Sequence, residues 1–234
     1  MRVIILAAGV GSRLKPFTEN TPKCLFKLGE NETLLARMIN IVKKNNVSEI
    51  CVVTGFQHFL IEQSISDVIF IHNPFYRVTN SIASLWFARE YLDDEVIMIN
   101  SDIVFEDALF KNILEFECPA FVVMDSSRIL EADYKVAVLN QKVVMMGKDL
   151  LHASGEYAGI TRLSKEAAYK LRAKIESMIS SDQIGEWYET ALVSMILEDS
   201  FNLHFLDIPQ YSWTEIDTPT DFLEAVRIHE MSKS

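Results

Sequence analysis

The stretch that decides the fold runs Val3-Ile4-Ile5-Leu6-Ala7-Ala8-Gly9-Val10-Gly11-Ser12-Arg13-Leu14. Its first half is a short apolar run rich in β-branched residues, which is typical of a strand buried on both faces of a sheet. Two glycines follow directly, and glycines at such a turn let backbone N–H groups approach phosphate oxygens. The sequence therefore predicts a central strand that ends in a phosphate-binding loop.

Three basic residues lie in or just after this loop: Arg13, Lys15 and Lys23. The whole chain has a formal net charge of −11, so a local group of cations is informative. Such side chains neutralise the phosphate oxygens that a glycine loop holds. Leu14 stands where a dinucleotide-binding fingerprint has its third glycine, and the Gly-Lys-Ser/Thr of a P-loop is absent from the sequence. A solvated glycine turn remains the alternative at this point.

Strands and helices alternate along the first half of the chain, which predicts a parallel, doubly wound sheet. The strands are expected at 3–6, 49–54, 68–71 and 96–99, and the helices from Leu34 and over Ser81 to Tyr91. The second half predicts a hairpin of 134–139 and 143–146, strands at 156–163 and 203–208, and helices after Ser164 to Met178 and over 187–197. We expect an α/β fold, a mostly parallel Rossmann-like sheet with an inserted small mixed-sheet subregion for an acceptor.

The sequence contains no Pro/Ser-rich linker and no internal repeat, which favours one domain over 1–234. We expect its nucleotide-binding part at about 1–110 and its acceptor-binding part at about 111–215. A C-terminal helix is predicted over 219–232, because Thr218 is a good N-cap and Pro219 suits the first helical position.

Composition excludes several classes of function. The acidic charge argues against a general nucleic-acid binder. Cys24, Cys51 and Cys118 have no C-x-x-C pairing, which indicates a reducing compartment without disulfides or structural zinc. No stretch approaches the ~20 apolar residues of a membrane helix. We expect a cytoplasmic protein without nucleic-acid or membrane partners, and the sequence leaves homo-oligomerisation open.

Two aspartates are candidates for holding a metal ion. Asp102 directly follows the predicted strand at 96–99, and the carboxyl ends of parallel strands border the ligand crevice of such folds. Asp217 precedes the predicted last helix. Mg²⁺ is usually bound by one or two carboxylates together with substrate phosphates. Taken singly, Asp102 also suits an ordinary loop and Asp217 a helix cap.

A longer string brings these features together. Leu6-Ala-Ala-Gly-Val-Gly-Ser-Arg-Leu-Lys-Pro-Phe-Thr-Glu-Asn-Thr-Pro-Lys23 resembles the signature of nucleotidyltransferases that activate sugar-1-phosphates and phosphocholine. The resemblance implies that Lys23 contacts phosphate at the reacting centre and that Arg13 and Lys15 face the leaving pyrophosphate. It implies nucleotide binding by Leu6, Ala7, Ala8, Gly9, Gly11 and Ser12. Trp213-Thr-Glu-Ile-Asp217-Thr-Pro-Thr-Asp221 resembles the same family's second metal segment, which implies Mg²⁺ on Asp102 and Asp217.

Within that family, three features are similar to phosphocholine-type cytidylyltransferases. Met145-Met-Gly-Lys148 resembles the Gly-Lys that contacts the acceptor phosphate, and the E-K-P of sugar enzymes is absent from the sequence. Asn80 and Ser84 match polar positions near the pyrimidine, and Ser81 stands where the family has a second asparagine. Asn80 or Ser81 also suits a helix cap. The acceptor pocket is matched by residues of two segments: Glu156, Tyr157, Gly159, Glu186, Trp187 and Glu189.

A carboxylate beside aromatic rings suits a cationic amine, whereas aromatics at helical spacing also suit a core. The resemblance implies transfer of CMP from CTP to a phosphorylated, amine-bearing metabolite, such as phosphocholine, an aminoalkylphosphonate or phosphoglutamine, with a role in cell-surface polysaccharide biosynthesis. The alternatives are a sugar-1-phosphate nucleotidyltransferase using dTTP, UTP or GTP, and a non-catalytic nucleotide-sensing module.

Overall fold

The computed structural model describes residues 1–30, 32–47, 49–129 and 132–232. The strands in these ranges are β1 (Arg2–Ala7), β2 (Ile50–Thr54), β3 (Ile69–His72), β4 (Val96–Asn100), β5 (Ile103–Phe105), β6 (Ala120–Asp125), β7 (Lys135–Leu139), β8 (Lys142–Gly147), β9 (Gly155–Leu163), β10 (His204–Asp207) and β11 (Trp213–Glu215). The α-helices are α1 (Leu34–Lys44), α2 (His58–Ser64), α3 (Ser81–Phe87), α4 (Asp107–Glu115), α5 (Lys165–Ser180), α6 (Tyr188–Asp199) and α7 (Pro219–Met231).

The central sheet has the order β10-β6-β9-β4-β1-β2-β3. Strands β4, β1, β2 and β3 run parallel to one another, and β10 is parallel to β6. Strand β9 runs antiparallel between β4 and β6, and the β7–β8 hairpin extends from it. The predicted α/β fold, a mostly parallel sheet joined by antiparallel strands, is confirmed.

Strand β1 is buried on both faces, as its continuous apolar run predicts. Val3 and Ile5 pack in the cluster that contains Met38 of α1, whereas Ile4 packs on the other face with Leu85 of α3. Full burial of an aliphatic side chain of this size stabilises a fold by roughly 1.5–3 kcal/mol. The strand that carries the glycine loop is therefore held rigidly between two helical layers.

Helix caps fix several element boundaries where the sequence predicts them. The Ser164 side chain accepts a hydrogen bond from Ala167 N at the start of α5. Thr218 and Asp221 form a complete capping box at the start of α7, which ends at Met231 rather than at 232. In the predicted hairpin, Asn140 and Gln141 both adopt positive φ, as a tight turn between twisted strands requires.

Other boundaries differ from the predictions. The third strand is Ile69–His72, one residue later than expected. The helix from Ser81 ends at Phe87 and is followed by a 3-10 turn at Arg89–Tyr91. Trp187 has an extended backbone and occupies the N-cap position of α6, so the helix begins one residue later than predicted. Five elements were not predicted: α2, α4, β5, β6 and β11. Within the described ranges, no helix combines the length and apolar character needed to cross a bilayer.

Candidate active site

A cleft of about 340 Å³ opens at the carboxyl ends of β1 and β4. The two strands pair in parallel with Leu6 opposite Asn100, and the Ser101 N–H donates to the Leu6 carbonyl oxygen at 3.1 Å. The loops that follow the two strands therefore face the same crevice, the usual ligand site of open α/β sheets.

Most of the predicted site residues line this cleft. They are Leu6, Ala7, Ala8, Gly9, Gly11, Ser12, Arg13, Lys23, Asn80, Ser81, Ser84, Asp102, Lys148, Tyr157, Gly159, Trp187, Glu189 and Asp217. Three predicted residues lie outside the lining: Lys15, Glu156 and Glu186. The lining also contains residues that were not predicted from the sequence: Pro22, Cys24, Tyr76, Thr79, Asn100, Ser101, Asp133, Tyr134 and Glu215.

The glycine loop turns sharply at Gly11. Its φ of +66° lies in the left-handed region, which glycine adopts without strain. The Thr18 hydroxyl donates to the Gly11 carbonyl oxygen at 2.7 Å, which closes the loop on itself. Leu14, which replaces the third glycine of a dinucleotide fingerprint, is buried in a cluster with Ile216. This apolar anchor holds the loop against the chain segment that carries Asp217.

A two-stranded antiparallel ladder brings three carboxylates together. Strand β5 begins directly after Asp102, and it pairs with β11 so that Ile103 lies opposite Glu215. Asp102, Glu215 and Asp217 each present an oxygen within 4.8 Å of the others. Asp217 does not cap α7, because Thr218 has that role. Carboxylate oxygens in this arrangement suit a divalent cation.

Two basic side chains neutralise this cluster. Lys23 Nζ lies 2.9 Å from Asp102 Oδ2 and 3.0 Å from Asp217 Oδ1. Arg13 Nη1 lies 2.8 Å from Asp217 Oδ2. Burial lowers the pKa of Lys23, but the two aspartates outweigh burial and raise this pKa above the ordinary value for lysine. Lys23 is therefore a fully charged lysine at the centre of the cleft.

Glu215 is the buried carboxyl group of this cluster. Burial raises the pKa of Glu215 well above its ordinary value, and the negative charges of Asp102 and Asp217 raise it further. Lys23 acts in the opposite direction. The surroundings of Glu215 thus favour its protonated form.

Asp133 connects Arg13 of the glycine loop with Lys148 on the opposite wall of the cleft. Its Oδ2 lies 3.0 Å from Lys148 Nζ and 3.4 Å from Arg13 Nη1. Its backbone N–H donates to Glu156 Oε1 at 2.9 Å. Glu156 is half-buried and reaches the cleft through Asp133, which explains why it is absent from the lining.

Aromatic rings surround the far end of the cleft. The Tyr134 ring lies edge-on to the rings of Trp187 and Tyr157, with centroids 5.8 Å and 6.0 Å apart. The Lys148 ammonium lies 4.8 Å from the centroid of the Trp187 ring. Glu186 lies outside the cleft lining, and its Oε2 accepts a hydrogen bond from Thr190 at 3.2 Å.

Glu189 is buried at this aromatic end of the cleft. Only 5% of the residue is exposed. Burial raises the pKa of Glu189 to about 7, the negative charge of Asp102 acts in the same direction, and Asn100 and Lys148 lower it. A carboxyl group with such a pKa is readily ionised by an incoming cation.

The start of α3 supplies polar groups along one edge of the cleft. The Asn80 side chain caps the helix by accepting from Ser81 N at 2.8 Å, and Ser81 Oγ accepts from Tyr188 N at 2.9 Å. The capping alternative for Asn80 is therefore correct, although the residue also lines the cleft. Ser84 Oγ accepts from the buried Asn73 Nδ2 at 3.0 Å, which leaves its O–H free to donate.

Comparison with known proteins extends the resemblance to the whole chain. CTP:phosphoglutamine cytidylyltransferase of Campylobacter jejuni is 26% identical, and the alignment covers 94% of this chain and 97% of that protein. Choline-phosphate cytidylyltransferase of Streptococcus pneumoniae is 24% identical, with 95% of each chain covered. The solved inositol-1-phosphate CTP transferase from T. maritima has a TM-score of 0.81 at 21% identity, with 98% of this chain and 96% of that chain covered. The structural likeness confirms the fold.

A family match settles the class of protein. Residues 3–176 match the family described as the MobA-like NTP transferase domain. This range begins in β1 and includes the glycine loop, Lys23, Asp102, Lys148 and strand β9. The resemblance predicted from the string at 6–23 is thereby confirmed. The protein is an enzyme of the nucleotidyltransferase type, and the chain belongs to the family of MobA-like NTP transferase domains.

Proposed function

We propose that this enzyme transfers CMP from CTP to a small phosphorylated metabolite that carries a cationic amine, releases pyrophosphate and uses Mg²⁺. One observation carries the proposal: a single cleft joins Lys23, Arg13 and Lys148 to a carboxylate cluster and to a buried acid beside aromatic rings. The two sequence relatives described above are named as cytidylyltransferases for phosphoglutamine and choline phosphate.

The nucleotide lies against β1, the glycine loop and the start of α3. Backbone groups from Leu6 to Ala8 and the loop to Ser12 bind the base and the phosphates. Asn80, Ser81 and Ser84 border the base. The Ser84 hydroxyl, which accepts a hydrogen bond from Asn73, directs its own proton to an acceptor atom of the pyrimidine.

The donor set fits Mg²⁺. Asp102, Glu215 and Asp217 offer only carboxylate oxygens, the hard ligands that Mg²⁺ prefers, and the Lys23 ammonium between two of them indicates that the position favours a cation. Asp102 and Asp217 are the ligands. Mg²⁺ held there would neutralise negative charge on the reacting phosphates.

The transfer needs little from the protein beyond positioning and neutralisation of charge. An oxygen of the acceptor phosphate attacks the α-phosphorus of CTP, and the bond from this phosphorus to the αβ-bridging oxygen breaks. The attacking oxygen is already an anion, so no strong general base is required. Lys23 and Lys148 orient the acceptor phosphate. Arg13 and, from outside the lining, Lys15 accompany the leaving pyrophosphate.

The aromatic end of the cleft accommodates the amine. The Trp187 ring already lies under an ammonium, that of Lys148, and cation–π attraction of this kind extends to quaternary amines. Glu189 supplies a negative charge once a cation arrives. Tyr157 and Gly159 form the wall from β9, while Glu156 supports it through Asp133 and Glu186 lies at the outer margin.

The decisive experiment measures pyrophosphate release with Mg²⁺ for CTP, UTP, GTP, ATP and dTTP. Each nucleotide is tested against a pool of phosphorylated amines and a pool of sugar-1-phosphates. We expect release with CTP and the amine pool. Release with another triphosphate and the sugar pool would replace the proposal by a sugar-1-phosphate nucleotidyltransferase.

A matched pair of acceptors tests the cationic subsite directly. Phosphocholine and 3,3-dimethylbutyl phosphate have nearly the same shape, but only the first has a positive charge. The enzyme should prefer the charged compound in kcat/KM, and Glu189→Gln should reduce that preference. Glu198→Gln, at an exposed acid of α6, is the control and should retain the preference.

A further inference from the structure

The carboxylates at the centre of the cleft are engaged by the protein's own cations. Lys23 Nζ contacts Asp102 Oδ2 and Asp217 Oδ1, and Arg13 Nη1 contacts Asp217 Oδ2. Both oxygens of Asp217 and one of Asp102 are therefore engaged by these side chains. Two positive side chains face two aspartates, so the charges of these four residues balance.

We propose that Lys23 and Arg13 form an internal latch that keeps a divalent cation from Asp102 and Asp217 until a nucleoside triphosphate binds. The inference rests on the proposed function, because it concerns how the same cleft is loaded. Its consequence is an order of binding: the nucleotide precedes the metal ion or arrives with it.

The two cations of the latch differ in how tightly they are held. The Lys23 side chain is only 12% exposed, and Asp217 is 14% exposed. A charge in such surroundings is costly to separate from its partner, so Lys23 does not leave the aspartates without another anion. The Arg13 side chain is 54% exposed and moves into solvent more readily. Lys23 therefore contributes most of the exclusion, and Arg13 contributes less.

A triphosphate is the anion that releases the latch. It presents several negative oxygens beside the glycine loop, within reach of both Lys23 and Arg13. Once these cations pair with phosphate, the oxygens of Asp102 and Asp217 become available to a metal ion. Thermodynamic linkage then requires that metal and nucleotide each raise the affinity for the other, and such couplings are typically about 5- to 150-fold.

Direct metal binding tests the latch without turnover. Free Mn²⁺ is measured by electron paramagnetic resonance in titrations of the nucleotide-free protein. We expect Lys23→Met to bind Mn²⁺ about tenfold more tightly than the wild type or better, and Arg13→Met to show a smaller increase. Lys111→Met, which removes one exposed lysine of α4, is the matched control for net charge and should bind like the wild type.

Two further measurements locate the effect and guard against misfolding. The gain in Lys23→Met should disappear in Lys23→Met/Asp102→Asn, because the new binding uses Asp102. Arg13 is more than half exposed, so Arg13→Met tests the inference even where loss of the buried lysine disturbs folding. The latch is overturned by equal Mn²⁺ affinity in the wild type and both single variants, or by a gain that survives removal of Asp102. Failure of the proposed function would appear separately, as absence of pyrophosphate release from the wild type.

Discussion

The backbone N–H of Ile216 donates to the carbonyl oxygen of Asp102 at 3.0 Å. This bond continues the β5–β11 ladder by one step, so it holds the loop after β4 against the segment before α7. The side chains of Asp102 and Asp217 are thereby held on one side of the cleft, although they are far apart in sequence. The candidate metal site is therefore a product of this small ladder rather than of either segment alone.

Asp102→Asn should remove activity but preserve the fold. The substitution keeps the backbone bond to Ile216 but takes away one charged oxygen that faces Lys23. Because phosphoryl transfer depends on charge placed at the reacting centre, we expect turnover to fall by at least roughly a hundredfold. Pyrophosphate release measures turnover, and a thermal unfolding curve checks the fold.

The matched control for this prediction is Asp182→Asn, at an exposed aspartate outside the cleft with φ of +61°. Asparagine tolerates this conformation, so activity and melting temperature should stay close to those of the wild type. A folded Asp102→Asn enzyme with wild-type turnover would show that Asp102 takes no part in the chemistry.

The sequence predicts the centre of the fold well because its signals there are local. The apolar run of β1 predicts a buried strand, and the capping residues Ser164 and Thr218 predict the starts of α5 and α7. Strands β5 and β11 escaped prediction because each has three residues and depends on the other as a distant partner. Strand propensity depends largely on packing against neighbouring strands, and the sequence of a single short segment does not show which strand will be its neighbour.

Some residues of the candidate site can be predicted from sequence motifs, and others cannot. Lys23, Asp102 and Asp217 belong to motifs with fixed spacing, and the structure brings them together. Asp133 belongs to no motif, and its place between Lys148 and Arg13 depends on how the β7–β8 hairpin folds over the cleft. Glu215 lies in the segment that contains Asp217, but only the pairing of β5 with β11 shows that its carboxyl group lies near that of Asp102.

Gly159→Ala should destabilise the protein. Gly159 has φ of +70°, and a Cβ there would lie 2.8 Å from Ile103 Cδ1 and 2.9 Å from Cγ1. The substitution combines left-handed strain with a clash against the residue that follows Asp102, so we expect a loss of more than roughly 1 kcal/mol in the free energy of unfolding. Urea denaturation measures the loss.

Gly185→Ala is the matched control, since nothing lies within 4 Å of a Cβ built at Gly185. It should change stability by less than about 0.5 kcal/mol. Equal stability of the two variants would contradict the steric account of Gly159.

Asp125→Ala should destabilise the protein, because Asp125 holds Trp213 of β11 by a hydrogen bond. The buried Asp125 carboxylate accepts from Trp213 Nε1 at 2.8 Å and from both the N–H and the hydroxyl of Ser127. Its removal leaves a buried indole N–H without an acceptor, which costs roughly 1–3 kcal/mol. Urea denaturation gives the change in the free energy of unfolding.

A double-mutant cycle tests the physical cause of this loss. Trp213→Phe removes the donor, so Asp125→Ala should cost less in the Trp213→Phe background than in the wild type. Purely additive losses would indicate that the indole bond is not the reason for the effect.

Glu189→Gln should change how stability depends on pH. Burial raises the pKa of Glu189 to about 7, above the ordinary value of 4.5 that applies in the unfolded chain. A raised carboxyl pKa means that the folded protein binds the proton more tightly, so the associated stability is complete below about pH 4.5 and is lost as the pH rises towards 7. The wild type should lose up to roughly 3 kcal/mol relative to Glu189→Gln over this interval. Urea denaturation at several pH values measures the difference.

The control for this titration is Glu198→Gln, because hydrogen bonds to Lys174 and Ser194 lower the pKa of that exposed carboxyl group. The stability of the wild type should not decline with rising pH relative to this variant.

Proton release on acceptor binding is a second test of Glu189. The charged groups Asp102 and Lys148 act on Glu189, and both remain in place in Glu189→Gln. A cationic acceptor should then favour the ionised acid, so its binding near pH 6.5 should release a proton from the wild type and none from Glu189→Gln. Calorimetry in buffers of different ionisation enthalpy measures that proton, and equal release from both proteins would place the amine away from Glu189.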